Sequence, residues 1–160
     1  MPRYLLLFCL IGLLTGCASQ RGAQTDHEQA NAVAFTAMNQ VGVPYRYGGN
    51  SPKTGFDCSG LIGFVYRDAV GIPLPRTVNA MSDMPSPTIH DPSALNTGDL
   101  LLFRTGRIGK PDHAGIYVGK GRFVHAPSRG GKVRLEPLDS GYWSAHFLKA
   151  KRPLGKTGAE

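Results

Sequence analysis

The sequence predicts an α+β fold, with helices first and an antiparallel strand meander second. Apolar residues recur at helical spacing between about residues 26 and 70. From Gly98 onward the pattern becomes short β-favouring runs separated by Gly-rich turns. A Pro-rich connection over 76–97 separates the two regimes. With 160 residues, no internal repeat and no second compositional block, the chain reads as one domain. A domain of that size buries about two thirds of its unfolded surface.

Residues Tyr4 to Leu14 are almost wholly apolar and follow Arg3. A run of about 11 residues matches a signal-peptide core and falls short of the ~20 that span a bilayer. The alternative, a buried helix of a globular domain, is set aside because no polar face appears anywhere in the run. Leu14-Thr15-Gly16-Cys17 resembles a bacterial lipoprotein box. That resemblance implies cleavage before Cys17, diacylglycerol on its sulfur and acylation of its amine. Two or more acyl chains anchor durably where one is marginal. Ala18 in place of Asp favours the outer membrane, again by the lipoprotein resemblance. The expected division is a signal peptide over 1–16, a lipidated terminus and tether over 17–25, a domain over 26–152 and a disordered tail over 153–160.

Thr25 and Glu28 form a capping box that predicts a helix from about Asp26 to Gln40. Val33, Ala34, Ala37, Met38 and Val41 make its core-facing stripe, and Gly42-Val43-Pro44 ends it. Residues 45–54 read as a Gly/Pro/Asn loop. A second helix runs from about Ser59 to Val70, with Gly71 closing it and Pro73 and Pro75 preventing a restart. The stretch 76–97 is a long connection with one short helix after Arg76. Strand-like runs follow at 99–103, 113–118, 122–126, 132–136 and 145–151.

The formal charge is +7, or +6 without Arg3. Such an excess serves solubility or draws a polyanion, and carboxylate-rich cell-wall peptide and nucleic acid are the two candidates. No interleaving of aromatic and basic residues and no nucleic-acid motif is present, and a lipid anchor argues further against nucleic acid.

Of three cysteines, Cys9 lies in the apolar leader and Cys17 at its end. Cys58 would then be the single free thiol of an exported protein, where an unpaired thiol is exposed to oxidation. It falls where a loop meets the second helix, so unpaired N–H groups and the helix dipole can stabilise a thiolate there. Gly60 permits close backbone approach. A nucleophilic thiol needs a base and a group that orients the base. Among His27, His90, His113, His125 and His146, only His113 and His125 lie on neighbouring strands joined by a short turn. A buried structural cysteine is the commoner alternative, and a zinc site built from the same Cys and two His is another.

Six blocks occur in order: Pro44-Tyr45-Arg46-Tyr47-Gly48-Gly49, Phe56-Asp57-Cys58-Ser59-Gly60-Leu61, Leu74-Pro75-Arg76-Thr77, Gly98 to Phe103, His113 to Gly119, and Val124-His125-Ala126. Together they resemble the NlpC/P60 family of cell-wall cysteine peptidases. The resemblance implies a papain-like fold over 26–152, helices packed on an antiparallel sheet. It assigns Cys58 as nucleophile, His113 as general base and His125 as the residue that orients it. Tyr45 lines the site near the oxyanion, and Asp57, Ser59 and Arg76 border the substrate cleft. Plain readings stand beside these: helix capping for Asp57 and Ser59, a structural ion pair for Arg76. The chain departs from many relatives at Val78-Asn79-Ala80-Met81, where they carry a Gln.

The resemblance implies a thiol hydrolase of peptidoglycan stem peptides that needs no cofactor or metal. Its bond is either γ-D-glutamyl–diaminopimelate or the D-alanyl–diaminopimelate cross-link. Its partners are stem peptides and the membrane, with a regulatory protein unidentified, and its place is the periplasmic face of the outer membrane. Competing expectations are an idle wall-binding scaffold and an amidase or acyltransferase using the same Cys/His site.

Overall fold

The structure, a computed structural model, describes residues 16–106, 108–129 and 131–154, with side chains from residue 26 onward. The expected signal peptide with Cys9, the Cys17 side chain and the end of the tail lie outside the described residues.

Helix α1 spans Gly16–Met38. It starts ahead of the Asp26 that the capping box predicts, because Ala18, Gln20, Arg21, Ala23 and Gln24 sustain a helix and no Pro interrupts them. Val33, Ala37 and Gln40 are buried, with Ala30 half-buried on the same side. Met38 and Val41 are each 46% exposed, unlike the expected stripe. Met38 lies about 100° round from Ala37, and Val41 falls beyond the helix end, so neither shares the buried face.

A two-stranded hairpin, β1 (Asn50–Ser51) with β2 (Gly55–Phe56), follows in the expected loop. Helix α2 spans Cys58–Val70. Asp57 caps its start by accepting from the Gly60 N–H at 2.7 Å. Gly71, at φ +70°, closes it by donating to the Arg67 carbonyl, while the next N–H, of Ile72, donates to the Tyr66 carbonyl. Leu61, Ile62, Val65 and Tyr66 are fully buried, and the Tyr66 hydroxyl donates to the Gly98 carbonyl. The close approach at Gly60 is real: a Cβ there would lie 2.0 Å from the Gly49 carbonyl oxygen.

Helix α3 (Val78–Ser82) is the short helix after Arg76, capped by Thr77. The Pro-rich connection also contributes an edge strand, β3 (Thr88–Ile89), and a 3₁₀ turn at Pro92–Ala94. Strands β4 (Leu100–Phe103), β5 (His113–Gly119), β6 (Arg122–His125), β7 (Arg134–Pro137) and β8 (Phe147–Lys151) complete a six-stranded sheet of order β3-β8-β4-β5-β6-β7. Every neighbouring pair is antiparallel.

Leu100, Leu102, Ala114, Ile116 and Val124 face α1 and α2 and form the main core. Leu101, Phe103, Phe123 and Ala150 face the other way. Helix α4 (Gly141–His146) covers that second face with Trp143. The strand expected from residue 145 therefore begins at Phe147, and His146 ends α4. Ser140 caps α4 by accepting from the Trp143 N–H, and this local bond overrides the β-favouring Tyr142 and Trp143. At the bottom of β4, buried Asp99 takes two hydrogen bonds from Arg152, each 2.8 Å, and so ties the chain end to the sheet.

Candidate active site

Cys58 is the first residue of α2, and its thiol is half-buried and free. The backbone N–H groups of Ser59, Ala114 and Cys58 itself draw its pKa down. Burial, aided by the Asp57 carboxylate, outweighs them, and the thiol is pushed above its ordinary value. This corrects the expectation of a resting thiolate. The helix N-terminus is present, but burial and a carboxylate neighbour count for more. The Ala114 amide also places the thiol against the start of β5, one residue from His113.

His113 opens β5 and His125 ends β6. Their side chains meet, His113 Nε2 to His125 Nδ1 at 2.8 Å, with the rings close to perpendicular. Burial, with the neighbouring His125, holds His113 down to about 3. Burial, with Arg134, holds His125 down to about 4. Both rings are thus neutral at ordinary pH. His125 is fully buried, and its Nε2 has no hydrogen-bond partner. That atom faces Glu136 Oε1 at 3.6 Å. A lone pair turned toward a carboxylate is repelled, so the proton of His125 belongs on Nε2. Nδ1 then accepts, His113 Nε2 donates, and His113 Nδ1 keeps the lone pair a base needs.

Glu136 is itself held. Its Oε2 accepts from the Trp143 indole, and its Oε1 meets Arg134 at 3.5 Å. Trp143 stacks on the His113 ring, centroids 5.5 Å apart, and crosses His125 edge-on at 4.8 Å. Strand register explains the grouping. His125 pairs with Arg134 and Phe123 with Glu136, so all four point to one side of the sheet.

On the Cys58 side the polar groups serve one another. Asp57 accepts from Gly48 N, Gly60 N and both terminal nitrogens of Arg76, and Arg76 also donates to Ser59 Oγ at 2.8 Å. Burial alone would raise the Asp57 pKa, but the Arg76 and backbone hydrogen bonds hold it below the usual carboxylate value. The plain readings of Asp57 as a cap and Arg76 as an ion pair are therefore both realised. Even so, both line a recess of about 600 Å³ with Tyr45 and Cys58. Burial, then nearby Cys58 and Asp57, raise the Tyr45 phenol, so it stays protonated and able to donate.

A second recess, about 690 Å³, lies beyond the imidazoles and is lined by His113, His125, Arg129, Arg134, Glu136 and Tyr142 among others. His27 and His90 are exposed elsewhere, and His146 bonds the Tyr142 carbonyl at 2.7 Å. Among the described residues no three His, Cys, Asp or Glu side chains group as a metal site. Glu136, Arg134 and Trp143 are the site residues that sequence reading misses. The signal that reveals them is the two-residue alternation of β7 read in register with His125.

A helix-borne thiol packed on an antiparallel sheet that carries paired imidazoles defines the papain-like α+β class. The NlpC/P60 family model matches residues 42–152, and the chain belongs to that family. It is 44% identical over 128 residues to the murein DD-endopeptidase MepH of Escherichia coli K12, covering 79% of this chain and 47% of that protein. The chain thus spans about half of MepH. It is 31% identical to the probable endopeptidase NlpC of the same organism, covering 94% of this chain and 99% of that one. Among solved structures, an NlpC/P60 family protein of Bacillus cereus superposes with a TM-score of 0.70 at 30% identity, covering 78% of this chain and 40% of the other.

Proposed function

We propose that this chain is a peptidoglycan endopeptidase that cleaves stem-peptide amide bonds with Cys58. The observation that carries the reading is the relay behind the thiol: His113 bonded at 2.8 Å to buried His125, which is turned by Glu136. The names of the relatives supply the substrate class. Because the resting pair is neutral thiol and neutral imidazole, His113 Nδ1 takes the Cys58 proton as sulfur attacks the carbonyl carbon. The carbonyl electron pair moves onto oxygen, which accepts from the Tyr45 hydroxyl and the Cys58 backbone N–H. Collapse expels the amine, which takes the proton back from His113. Water, deprotonated by His113, then attacks the acyl carbon, the C–S bond breaks, and His113 returns the proton to the departing sulfur. His125 holds the His113 ring and delocalises the charge that forms on it.

Cys17 lipidation and residence at the periplasmic face of the outer membrane complete the proposal, on the strength of the lipoprotein-box resemblance. No helix among the described residues is long and apolar enough to cross a membrane. An intact mass of the N-terminal peptide carrying acyl chains on Cys17 is the expected result.

The test of activity is mass spectrometry of fragments released from diaminopimelate-type sacculi by the full chain and by its Cys58→Ala form. Release should fall at least about a thousandfold in the variant. Equal release by both would sink the reading.

A further inference from the structure

The recess beyond the imidazoles has a chemistry of its own. His113 returns its proton to the departing amine, so the leaving group must lie within hydrogen-bond reach of that ring and extend past it. The space past it is the recess that holds Arg129 and Arg134. Arg134 is 42% exposed and meets a single carboxylate, Glu136, at 3.5 Å. Glu136 is already engaged by the Trp143 indole and turned toward His125. Arg129 is exposed and forms no ion pair among the described residues. A guanidinium presents five N–H donors in a planar fork suited to carboxylate. Two such groups beside one spoken-for acid leave an excess of positive charge at the leaving-group side.

We infer that Arg134, assisted by Arg129, forms a binding site for a free α-carboxylate on the amino acid whose amine is expelled. This rests on the peptidase reading and sharpens it. In a D-alanyl–diaminopimelate cross-link, the scissile nitrogen sits on a carbon that bears a free carboxylate. In the γ-D-glutamyl–diaminopimelate bond of a tetrapeptide stem, the equivalent carboxyl is already amidated by the next residue. The recess therefore selects the first bond and disfavours the second. A terminal D-alanine also bears a free carboxylate on the carbon that carries its amide nitrogen, so the same site admits carboxypeptidase cleavage.

The test uses the full chain on three substrates. These are a cross-linked dimer with free carboxylates, the same dimer with the carboxyl beside the scissile amide converted to carboxamide, and a monomer tetrapeptide. The native chain should cleave the free dimer about ten- to a hundredfold faster than the carboxamide, the range one charge-assisted hydrogen bond supports. In Arg134→Gln that ratio should collapse toward one, mainly through KM, and Arg134→Lys should restore part of it. Monomers released from the dimer identify diaminopimelate as the ligand, and D-alanine released from the tetrapeptide identifies the terminal residue. Equal rates on the two dimers with the native chain, or an unchanged ratio in Arg134→Gln, would overturn the inference. Calorimetric binding of the monomer tetrapeptide to Cys58→Ala and to Cys58→Ala/Arg134→Gln separates this from the peptidase reading. Arg134-dependent binding without native turnover keeps the site and removes the peptidase. Native turnover with Arg134-independent binding does the reverse.

Discussion

The two recesses, one at Cys58 and the other at the imidazoles, handle charge in opposite ways. On the Cys58 side, Asp57 and Arg76 satisfy each other and the backbone, with an ion pair at 2.7 Å. On the far side Arg134 touches its carboxylate only at 3.5 Å, and Arg129 has no ion-pair partner among the described residues. The first cluster builds the wall on which Cys58 stands. The second leaves donors unspent. A charged residue near a reactive centre thus declares its role by how many of its hydrogen bonds the protein already uses.

The comparison can be broken most forcefully at Glu136. Glu136→Gln removes the charge that fixes the His125 proton on Nε2 while keeping the side-chain shape. Neutralising a carboxylate that touches the base directly costs roughly 10⁴ in kcat, and Glu136 acts one ring further away. The expected loss is about ten- to a hundredfold in kcat, with KM little changed, in steady-state assays on a muropeptide dimer. An equal rise in KM would make Glu136 a direct ligand contact instead of a support for His125.

Asp57 is the next lever. Asp57→Ala deletes a helix cap, worth about 1–2 kcal/mol, and should lower the urea midpoint accordingly. Arg129→Gln, on the far side, should change stability by less than about 0.5 kcal/mol and leave that midpoint almost unmoved. Because folding lowers the Asp57 pKa, its contribution is complete above the unfolded value of about 3.9 and is lost as pH falls through the folded one. The native chain should therefore lose more stability between pH 6 and pH 3 than Asp57→Ala does, measured by urea unfolding.

The smallest effect sharpens the picture of the thiol. Alkylation of Cys58 by iodoacetamide should be slow at pH 7 and still climbing at pH 9, because burial and Asp57 raise the thiol. Asp57→Asn should shift that profile toward lower pH. A rate already level at pH 6 would restore the resting thiolate.

Much of this was legible in the sequence where the signal is local. Asp57 before an apolar helical run announces a cap, and Gly71 announces a stop. His113 and His125 flank a Gly119-Lys120-Gly121 turn that forces their strands together. What was not legible depends on partners distant in the chain. Glu136 and Arg134 acquire meaning only through the β6–β7 register, and Trp143 only because Ser140 starts a helix where its neighbours favour a strand. Strand β3 is two residues among prolines and exists because β8 offers it an edge. The thiol pKa followed the same rule: the helix end can be read from the chain, but the burial around it cannot.

Helix α1 has a consequence beyond packing. It is continuous from Gly16, yet its buried face is at Val33 and Ala37. From Cys17 to Val33 the axis advances about 24 Å. Were Cys17 acylated as proposed, that length would act as a stiff post rather than a slack tether. It would hold Cys58 at a fixed height above the bilayer, so that shortening or lengthening the post by whole turns would change which layer of the wall the protein reaches.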